Sequence, residues 1–274
     1  MAMSNSDFDY IRDLLRKRVG MVLGTDKVYL VENRLTALVQ QRGLGSLQEL
    51  LYQLRTAPSP ALHQAIIDAM AINETRFFRD EFLFEHLKIT LFPDILKRQT
   101  QQKTLNIWSA ACSSGQEAYS IAILLQESFP LLRNWQVRLI ASDISHTILA
   151  RADEGHYTQF EVNRGLPPSL LNKYFQRQGK NWQIKGDIRQ QVEFKIVNLM
   201  ETTWPLLPLL DMVFLRNVLI YFDDVTKKTI LSKVYRVLKP GGYLVTGTSE
   251  TALHRLSDHF KIVKLGTIIA YQVK

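Results

Sequence analysis

From Thr104 onward, short apolar runs alternate with stretches of helical periodicity, and this alternation constrains the fold more than any other feature of the chain. The run "TLNIWSA" precedes "GQEAYSIAILLQESF", and "WQVRLIASDIS" precedes "HTILARADEG". Further strand patterns follow in "VEFKIVNL", "DMVFLRNVL" and "GYLVTGTS", with "DDVTKKTILSKVYRVLKPGG" as the helix before the last of these. Strands that alternate with helices predict βαβ units and a largely parallel sheet. We therefore expect an α/β fold.

The two ends of the chain depart from this alternation. Residues 1–72 contain four helical stretches and no strand pattern. We expect a capping box of Ser6 and Asp9 to begin the first of these helices, and Ser59 before Pro60 to begin the fourth. The final run, "FKIVKLGTIIAYQVK", has no helix between its two strand patterns, which predicts an antiparallel hairpin at the sheet edge.

Two further segments lie outside the simple pattern. The stretch "EFLFEHLKITLFPDILKRQ" predicts a helix interrupted near Pro93. Residues of about 155–191 hold Pro167-Pro168, a short helical run and a polar, turn-rich part, which is too much for a simple connection. This segment predicts a small inserted subdomain that is partly β. The expected organisation is a helical N-terminal domain (1–72), a linker (73–92) and a larger domain with the insert (93–274).

Composition restricts the class of protein. The chain of 274 residues is 46% hydrophobic, enough for one large core with a small accessory domain. No run approaches the roughly 18 apolar residues of a membrane span, and the acidic, amphipathic start of the chain does not resemble a signal peptide. The single cysteine, Cys112, excludes an internal disulfide and predicts a reducing cytoplasm, with Cys112 itself buried as a small hydrophobe.

The net charge of +8 raises the question of an acidic partner. Residues 1–72 are almost neutral, with eight Lys/Arg against seven Asp/Glu. Local excesses of positive charge lie at 173–195 and 227–239, and the second is typical of the solvated face of one helix. Charge alone does not choose between nucleic acid, a nucleotide and an acidic protein.

The first candidate site residues follow the first two strands. The turn "SAACSSGQE" opens a helix at Gly115, and small residues there let backbone amides approach a ligand. It matches neither the dinucleotide fingerprint nor the P-loop, and a structural helix start is the alternative. Asp143 in "IASDIS" is placed to accept bonds from the vicinal hydroxyls of a ribose, or to cap the next helix.

Further candidates follow the later strands. Arg216 and Asn217 come directly after an apolar strand, with Tyr221 four residues beyond. An arginine beside a buried strand needs a partner, which indicates either a functional site or a salt bridge between sheet and helix. A Gly-containing turn with a ribose-type acid indicates an adenosine-like cofactor. The turn "LKPGG" and the terminal hairpin are typical of S-adenosylmethionine-dependent methyltransferases rather than dehydrogenases.

Several segments taken together resemble the CheR chemotaxis methyltransferases, which methylate receptor glutamates. They are "NETRFFR", "WSAACSSGQEAYSIA", "ASDIS", "FLRNVLIYF" and "LKPGGYLVTGTSE", and the resemblance runs over nearly the whole chain. The family commonly has Gly-Glu-Glu-Pro-Tyr-Ser where this chain has Gly115-Gln116-Glu117-Ala118-Tyr119-Ser120. The resemblance implies a class I fold: a Rossmann-like mixed sheet with a terminal antiparallel hairpin, an all-helical N-terminal domain and a small inserted β-subdomain.

The resemblance also implies site residues and partners. It places Arg79 and Tyr221 close to the transferred methyl, and it implies S-adenosyl-L-methionine as cofactor with S-adenosyl-L-homocysteine as product. The implied cofactor contacts are Asn73, Thr75, Arg79, Glu117, Asp143, Asn198, Leu199, Arg216 and Asn217. The implied partners are the cytoplasmic domains of membrane chemoreceptors, which would meet the insert and a face of the N-terminal helices. We expect a cytoplasmic monomer without metal, nucleic acid or membrane insertion.

The resemblance also implies a role for the opening of the linker, "NETRFFRD". It is expected to form one wall of the cofactor site, with Phe77 and Phe78 anchoring it by burial. Arg76 is expected to face solvent or the receptor instead.

The implied chemistry fits what the sequence has and lacks. A glutamate carboxylate, with a reference pKa of about 4.3, is already a nucleophile at neutral pH. No constellation of His, Ser and Cys is therefore needed, and the six histidines are scattered. A nucleic-acid methyltransferase is the rival enzyme, although "FLRNVLIYF" stands where amino-methylating members carry an Asp/Asn-Pro-Pro-aromatic motif. A non-catalytic receptor-binding module that senses the cofactor is the rival from another class.

Overall fold

The computed structural model describes residues 3–204, 207–250, 259–266 and 268–274. Its main sheet has the strand order β6-β2-β1-β7-β8-β10-β9. The pairs β6–β2, β2–β1, β1–β7 and β7–β8 are parallel. The pairs β8–β10 and β10–β9 are antiparallel. The strands are β1 (Thr104–Ala110), β2 (Gln136–Asp143), β6 (Val192–Ile196), β7 (Leu210–Leu215), β8 (Leu238–Thr246), β9 (Phe260–Leu265) and β10 (Ile268–Val273). The predicted mixed sheet and its edge hairpin are confirmed.

Helices pack on the faces of this sheet. The helices of the alternating part are α7 (Gln116–Ser128), α8 (His146–Glu154) and α12 (Asp224–Val237). The last of these was predicted to include "LKPGG", which is wrong. Leu238 is already the first residue of β8 and pairs with Leu210 of β7. A register shift between Leu210 and Met212 accommodates the Lys-Pro-Gly-Gly residues within β8. Because β1 has β2 on one side and β7 on the other, the strand order reverses at β1.

The N-terminal helices form their own hydrophobic cluster, which includes Ile11, Leu35 and Leu50. Their bounds are α1 (Asn5–Val19), α2 (Val28–Gln41), α3 (Leu47–Thr56) and α4 (Pro60–Met70). Ser59 caps α4 as predicted, with its hydroxyl accepting from Leu62 N at 3.1 Å.

The predicted capping box at Ser6 is wrong, because Ser4 caps α1. The Ser4 hydroxyl accepts from Asp7 N at 3.2 Å. Met3 and Phe8 are buried in the same cluster, so an apolar pair that flanks the cap holds the start of the helix at this position.

The helix predicted to break near Pro93 is continuous. It comprises α5 (Glu81–His86), a π-helical turn at Leu87–Leu91 and α6 (Phe92–Arg98). Pro93 lies in the first turn of α6, and the wider turn before it accommodates a residue without an N–H. The irregularity therefore falls ahead of the proline and does not end the helix.

The predicted insert is present and is partly β. Its small antiparallel sheet has the order β3-β5-β4, formed by β3 (His156–Thr158), β4 (Phe175–Gln178) and β5 (Asn181–Ile184). Its short helices are α9 (Gln159–Asn163), α10 (Pro168–Tyr174) and α11 (Gly186–Arg189). Phe77 of the linker is fully buried against it, with ring centroids 4.9 Å from Tyr157 and 5.5 Å from Phe175.

Two further expectations concern burial and membranes. Cys112 is buried as predicted, and that burial raises the pKa of its thiol well above the ordinary value. Among the described residues, no helix combines the length and the apolar character that crossing a membrane requires.

Candidate active site

One cavity lies beyond the carboxyl ends of β1, β2, β6 and β7, at the reversal of strand order. Its empty volume is about 1080 Å³, including the part open to solvent. Ligands of open α/β sheets bind at this kind of position. All ten predicted site residues line it: Asn73, Thr75, Arg79, Glu117, Asp143, Asn198, Leu199, Arg216, Asn217 and Tyr221. The structure thus brings the predicted set together, and the role of each residue stays a prediction.

Asp143 is presented to the cavity by backbone groups. Its carboxylate accepts from Ser113 N at 2.9 Å and from Ser145 N at 3.0 Å. The alternative prediction, that Asp143 caps the next helix, is wrong, because the Ser145 hydroxyl caps α8 by accepting from Ile148 N. Burial raises the pKa of Asp143 above its ordinary value, against the effect of these N–H groups. Asp143 is therefore a buried acceptor that backbone groups hold in place, and no basic side chain among the described residues forms an ion pair with it.

The turn after β1 has the backbone that a close-approach loop needs. Ala111 and Ser113 have φ of 56° and 52°, and Gly115 has φ of 88°. A Cβ on Gly115 would lie 3.1 Å from Ala152 Cβ and 3.2 Å from the Tyr119 ring, so the glycine serves both conformation and packing.

Arg216 forms a buried charge cluster with Glu117 and Asp80. Its Nη1 donates to Glu117 Oε2 at 2.5 Å, and its Nη2 donates to Asp80 Oδ2 at 2.5 Å and to the Arg79 carbonyl at 3.1 Å. The other carboxylate oxygen of Glu117 accepts from the Ser109 hydroxyl at 2.8 Å. The salt bridge between sheet and helix that the sequence left open is present, and it forms part of the cavity wall.

One atom of this cluster has no partner. The Nε of Arg216 is buried and makes no hydrogen bond to any described residue. A buried donor without a partner is unusual in a folded protein and calls for an explanation. Because Arg216 lines the cavity, a ligand acceptor is the natural partner for this donor.

The linker forms one wall of the cavity. The Asn73 carbonyl accepts from the Ser113 hydroxyl at 3.0 Å, and Phe78 N donates to the Ser120 hydroxyl at 2.9 Å. Arg79 lines the cavity, whereas Arg76 is exposed and does not line it. The predicted difference in placement between the two arginines is thus present.

The N-terminal helices close the other side of the cavity through contacts that the sequence did not reveal. Gln64 Nε2 donates to the Ile144 carbonyl at 3.0 Å. Asp68 accepts from His146 N at 3.2 Å and from the Thr147 hydroxyl at 3.1 Å, at the start of α8. An acidic side chain at a helix N-terminus is favourable, although a carboxylate 78 residues away in the chain gives no local signal for it.

Asn198 joins the two parts of the chain. Its Nδ2 donates to the Arg18 carbonyl at 2.8 Å, and its Oδ1 accepts from Met200 N at 2.9 Å. The resemblance implied a cofactor contact for Asn198. In the structure it shapes the turn after β6 and also lines the cavity.

Glu250 is a further residue that sequence reasoning missed. It is buried and accepts backbone N–H groups from the loop after β7. The signal that could have found it is the same one used for the other strands, because "GTSE" directly follows the last parallel strand.

The groups that face the cavity fit S-adenosylmethionine, the cofactor that the sequence implied. Asp143 offers a carboxylate to vicinal hydroxyls, the turn after β1 offers small residues, and the free Nε of Arg216 offers a donor to a carboxylate.

Comparison with known proteins places the chain in a family. Residues 73–269 match the model of the CheR methyltransferase, SAM binding domain, and residues 6–71 match that of the CheR methyltransferase, all-alpha domain. The chain is 42% identical to Chemotaxis protein methyltransferase 1 of Pseudomonas aeruginosa and 41% identical to Chemotaxis protein methyltransferase Cher2 of Pseudomonas putida, over all of both chains in each case. It is 38% identical to Chemotaxis protein methyltransferase 1 of Vibrio cholerae, over all of this chain and 99% of that one. The chain is thus a member of the CheR family, a chemotaxis methyltransferase of the class I fold that uses S-adenosylmethionine.

Proposed function

We propose that this methyltransferase esterifies specific glutamate side chains in the cytoplasmic domains of membrane chemoreceptors. The products would be glutamyl methyl esters, which serve chemotactic adaptation. S-adenosylmethionine supplies an activated methyl on a sulfonium centre, and S-adenosylhomocysteine is left behind. We also propose that the protein works as a cytoplasmic monomer without nucleic acid, with the domain bounds 1–72, 73–92 and 93–274.

One observation carries the choice of a carboxylate as acceptor: the described cavity lining holds its own carboxylates in ion pairs or hydrogen bonds and offers no free base that is suited to neutral pH. Its described lining contains no histidine or lysine. Burial raises the pKa of the Cys112 thiol well above its ordinary value, and burial likewise raises the pKa of Tyr221. Glu117 is held in an ion pair with Arg216. An acceptor that is already ionised at neutral pH fits such a cavity, because no proton has to be removed.

The residues around the cavity divide the remaining work. Asp143 would accept bonds from the ribose hydroxyls, and the free Arg216 Nε would donate to the carboxylate of the cofactor's amino-acid part. Arg79 would orient the glutamate carboxylate, because a guanidinium presents a planar fork to it. Tyr221, which remains protonated at neutral pH, would fix or shield the transferred methyl.

The environment also favours the reaction itself. A carboxylate that attacks a sulfonium methyl neutralises two opposite charges. Holding both groups out of water and in line therefore favours the transition state over the solvated reactants. The apolar side chains of Val19, Met21 and Phe222, which line the same cavity, contribute to that exclusion of water.

Transfer of a labelled methyl group from S-adenosylmethionine to purified receptor cytoplasmic fragments tests the proposal. We expect label that mild alkali releases, because it would be held as an ester. A matched fragment with alanine at the methylatable glutamates should stay unlabelled. Label that survives mild alkali would indicate nitrogen or carbon methylation, and labelled nucleic acid would revive the rival enzyme class. Tight binding of S-adenosylhomocysteine without any transfer would favour the receptor-binding module.

A further inference from the structure

Glu250 binds three backbone N–H groups with one buried carboxylate. It accepts from Asn217 N at 2.8 Å, from Leu219 N at 2.7 Å and from Gly247 N at 2.7 Å. Only 6% of the residue is exposed. Hydrogen bonds from N–H groups to a charged acceptor are stronger than those between neutral groups. One side chain therefore ties the end of β8 to the loop that follows β7.

That loop carries three of the proposed site residues: Arg216, Asn217 and Tyr221. Asn217 has φ of 60°, in the left-handed region that few residues other than glycine adopt. Asparagine tolerates this conformation better than most residues, and the bond from Asn217 N to Glu250 stabilises it. Glu250 thus determines where the loop runs between its buried arginine and its tyrosine.

The packing around Glu250 leaves no space for a side chain at Gly247. A Cβ on Gly247 would lie 2.7 Å from Asn217 Nδ2 and 2.8 Å from Glu250 Oε2. Both distances are shorter than a real Cβ contact allows, so glycine at this position is required for the carboxylate and the loop to meet.

Within the part of the chain that the structure describes, Glu250 is held by peptide groups and not by a basic side chain. Among the described residues, no lysine, arginine or histidine forms an ion pair with it, and its three bonds come from peptide dipoles. The negative charge of Glu250 also acts on Tyr221, which lines the cavity. Burial is the main cause that raises the pKa of Tyr221; Arg79 lowers this pKa, and the charges of Glu250 and Glu74 raise it. A buried charge acts over a longer range than an exposed one, since solvent screens it less.

We propose that Glu250 is a positioning residue for the loop Arg216–Tyr221, and that its buried negative charge stabilises the sulfonium cofactor relative to the neutral thioether product. The first part rests on the proposed roles of Arg79 and Tyr221. The second part rests only on the binding of S-adenosylmethionine. Such a charge raises the affinity for S-adenosylmethionine more than the affinity for S-adenosylhomocysteine, so the ratio of the two affinities reports on it.

Two variants separate geometry from charge. Glu250→Gln keeps the length of the side chain and removes the charge, and Glu250→Asp keeps the charge and shortens the side chain. For Glu250→Gln we expect affinity to fall about tenfold for S-adenosylmethionine and about threefold for S-adenosylhomocysteine, measured by calorimetry. For Glu250→Asp we expect the ratio of the two affinities to stay at the wild-type value while turnover falls. Glu85→Gln, which removes an exposed carboxylate outside the cavity, should change neither affinity.

Equal losses for cofactor and product in Glu250→Gln would overturn the charge part of the proposal. If Glu250→Gln does not fold, Gly247→Ala provides a second test of positioning, because it displaces the carboxylate without removing its charge. It should lower turnover and leave the affinity ratio unchanged. Wild-type turnover in both Glu250→Asp and Gly247→Ala would overturn the positioning part. Because the affinity ratio is measured without a receptor, failure of the proposed substrate would leave the charge test intact.

Discussion

The two ends of the cavity hold their charged groups in different ways. At one end, Asp143 accepts from backbone N–H groups of Ser113 and Ser145. At the other end, Arg216 is paired with two side-chain carboxylates, one from α7 and one from the linker. Backbone groups in the turns after β1 and β2 hold Asp143, whereas the charge cluster joins three separate segments of the chain through side chains. The Asp143 end is therefore suited to recognition, and the Arg216 end also contributes to the fold.

The largest expected effect lies at the Arg216 end. Arg216→Met removes the cation that Glu117 and Asp80 share and leaves these two carboxylates without an opposite charge in this cluster. We expect the free energy of unfolding to fall by about 3–5 kcal/mol, as measured by urea denaturation. Arg138→Met, in an exposed pair with Glu193, is the control and should cost about 1 kcal/mol or less. A similar cost for both variants would show that the buried cluster does not stabilise the fold.

The second effect concerns turnover. Arg79→Ala should reduce methyl transfer about a hundredfold, because it removes the guanidinium that we propose orients the acceptor carboxylate. Lysine at this position should restore only part of the loss, since it has a point charge without the planar fork. Full activity in Arg79→Ala would remove this arginine from the site.

Arg76 is the matched control three residues away. It is exposed and outside the cavity, so Arg76→Ala should leave cofactor affinity nearly unchanged. Any effect should appear in the affinity for the receptor and should weaken with added salt. Equal loss of cofactor affinity in both variants would indicate that the linker unfolds without its charges.

The smallest of the three effects lies at the Asp143 end. Asp143→Ala should weaken the binding of S-adenosylhomocysteine by well over tenfold, because a charged acceptor for two hydroxyls typically contributes about 1.5–3 kcal/mol. The fold should remain intact, as judged by thermal denaturation. Unchanged affinity with a lower melting temperature would make Asp143 a purely structural residue.

Acidification provides an independent check on the same end. Because burial raises the pKa of Asp143, its carboxylate takes up a proton at a pH above the ordinary midpoint of aspartate. The protonated form is a poorer acceptor, so affinity for S-adenosylhomocysteine should fall as the pH is lowered through that raised pKa. Asp143→Asn cannot take up this proton and should show no such loss. An equal fall in Asp143→Asn would assign the effect to another group.

The sequence predicts these two ends unequally well. Asp143 could be placed from sequence because the rule for strand ends depends only on the local pattern of apolar runs. The partner Asp80 of Arg216 could not be predicted, because it lies 136 residues away in the chain. The bond from Asn217 N to Glu250, 33 residues away, could not be predicted either. Neither contact changes the pattern of apolar residues from which helices and strands are predicted. The displaced cap at Ser4 was missed for a related reason, because the packing of Met3 into the N-terminal cluster decided it.

The most direct test of this division is a crystal structure of the protein with S-adenosylhomocysteine. The account predicts that the ribose hydroxyls lie within hydrogen-bonding distance of Asp143, and that the sulfur lies on the side of Arg79 and Tyr221. It also predicts that the amino-acid carboxylate accepts from Arg216 Nε, the buried donor to which the described residues offer no acceptor. A ligand bound outside this cavity, or one bound in it with its ribose away from Asp143, would contradict the account.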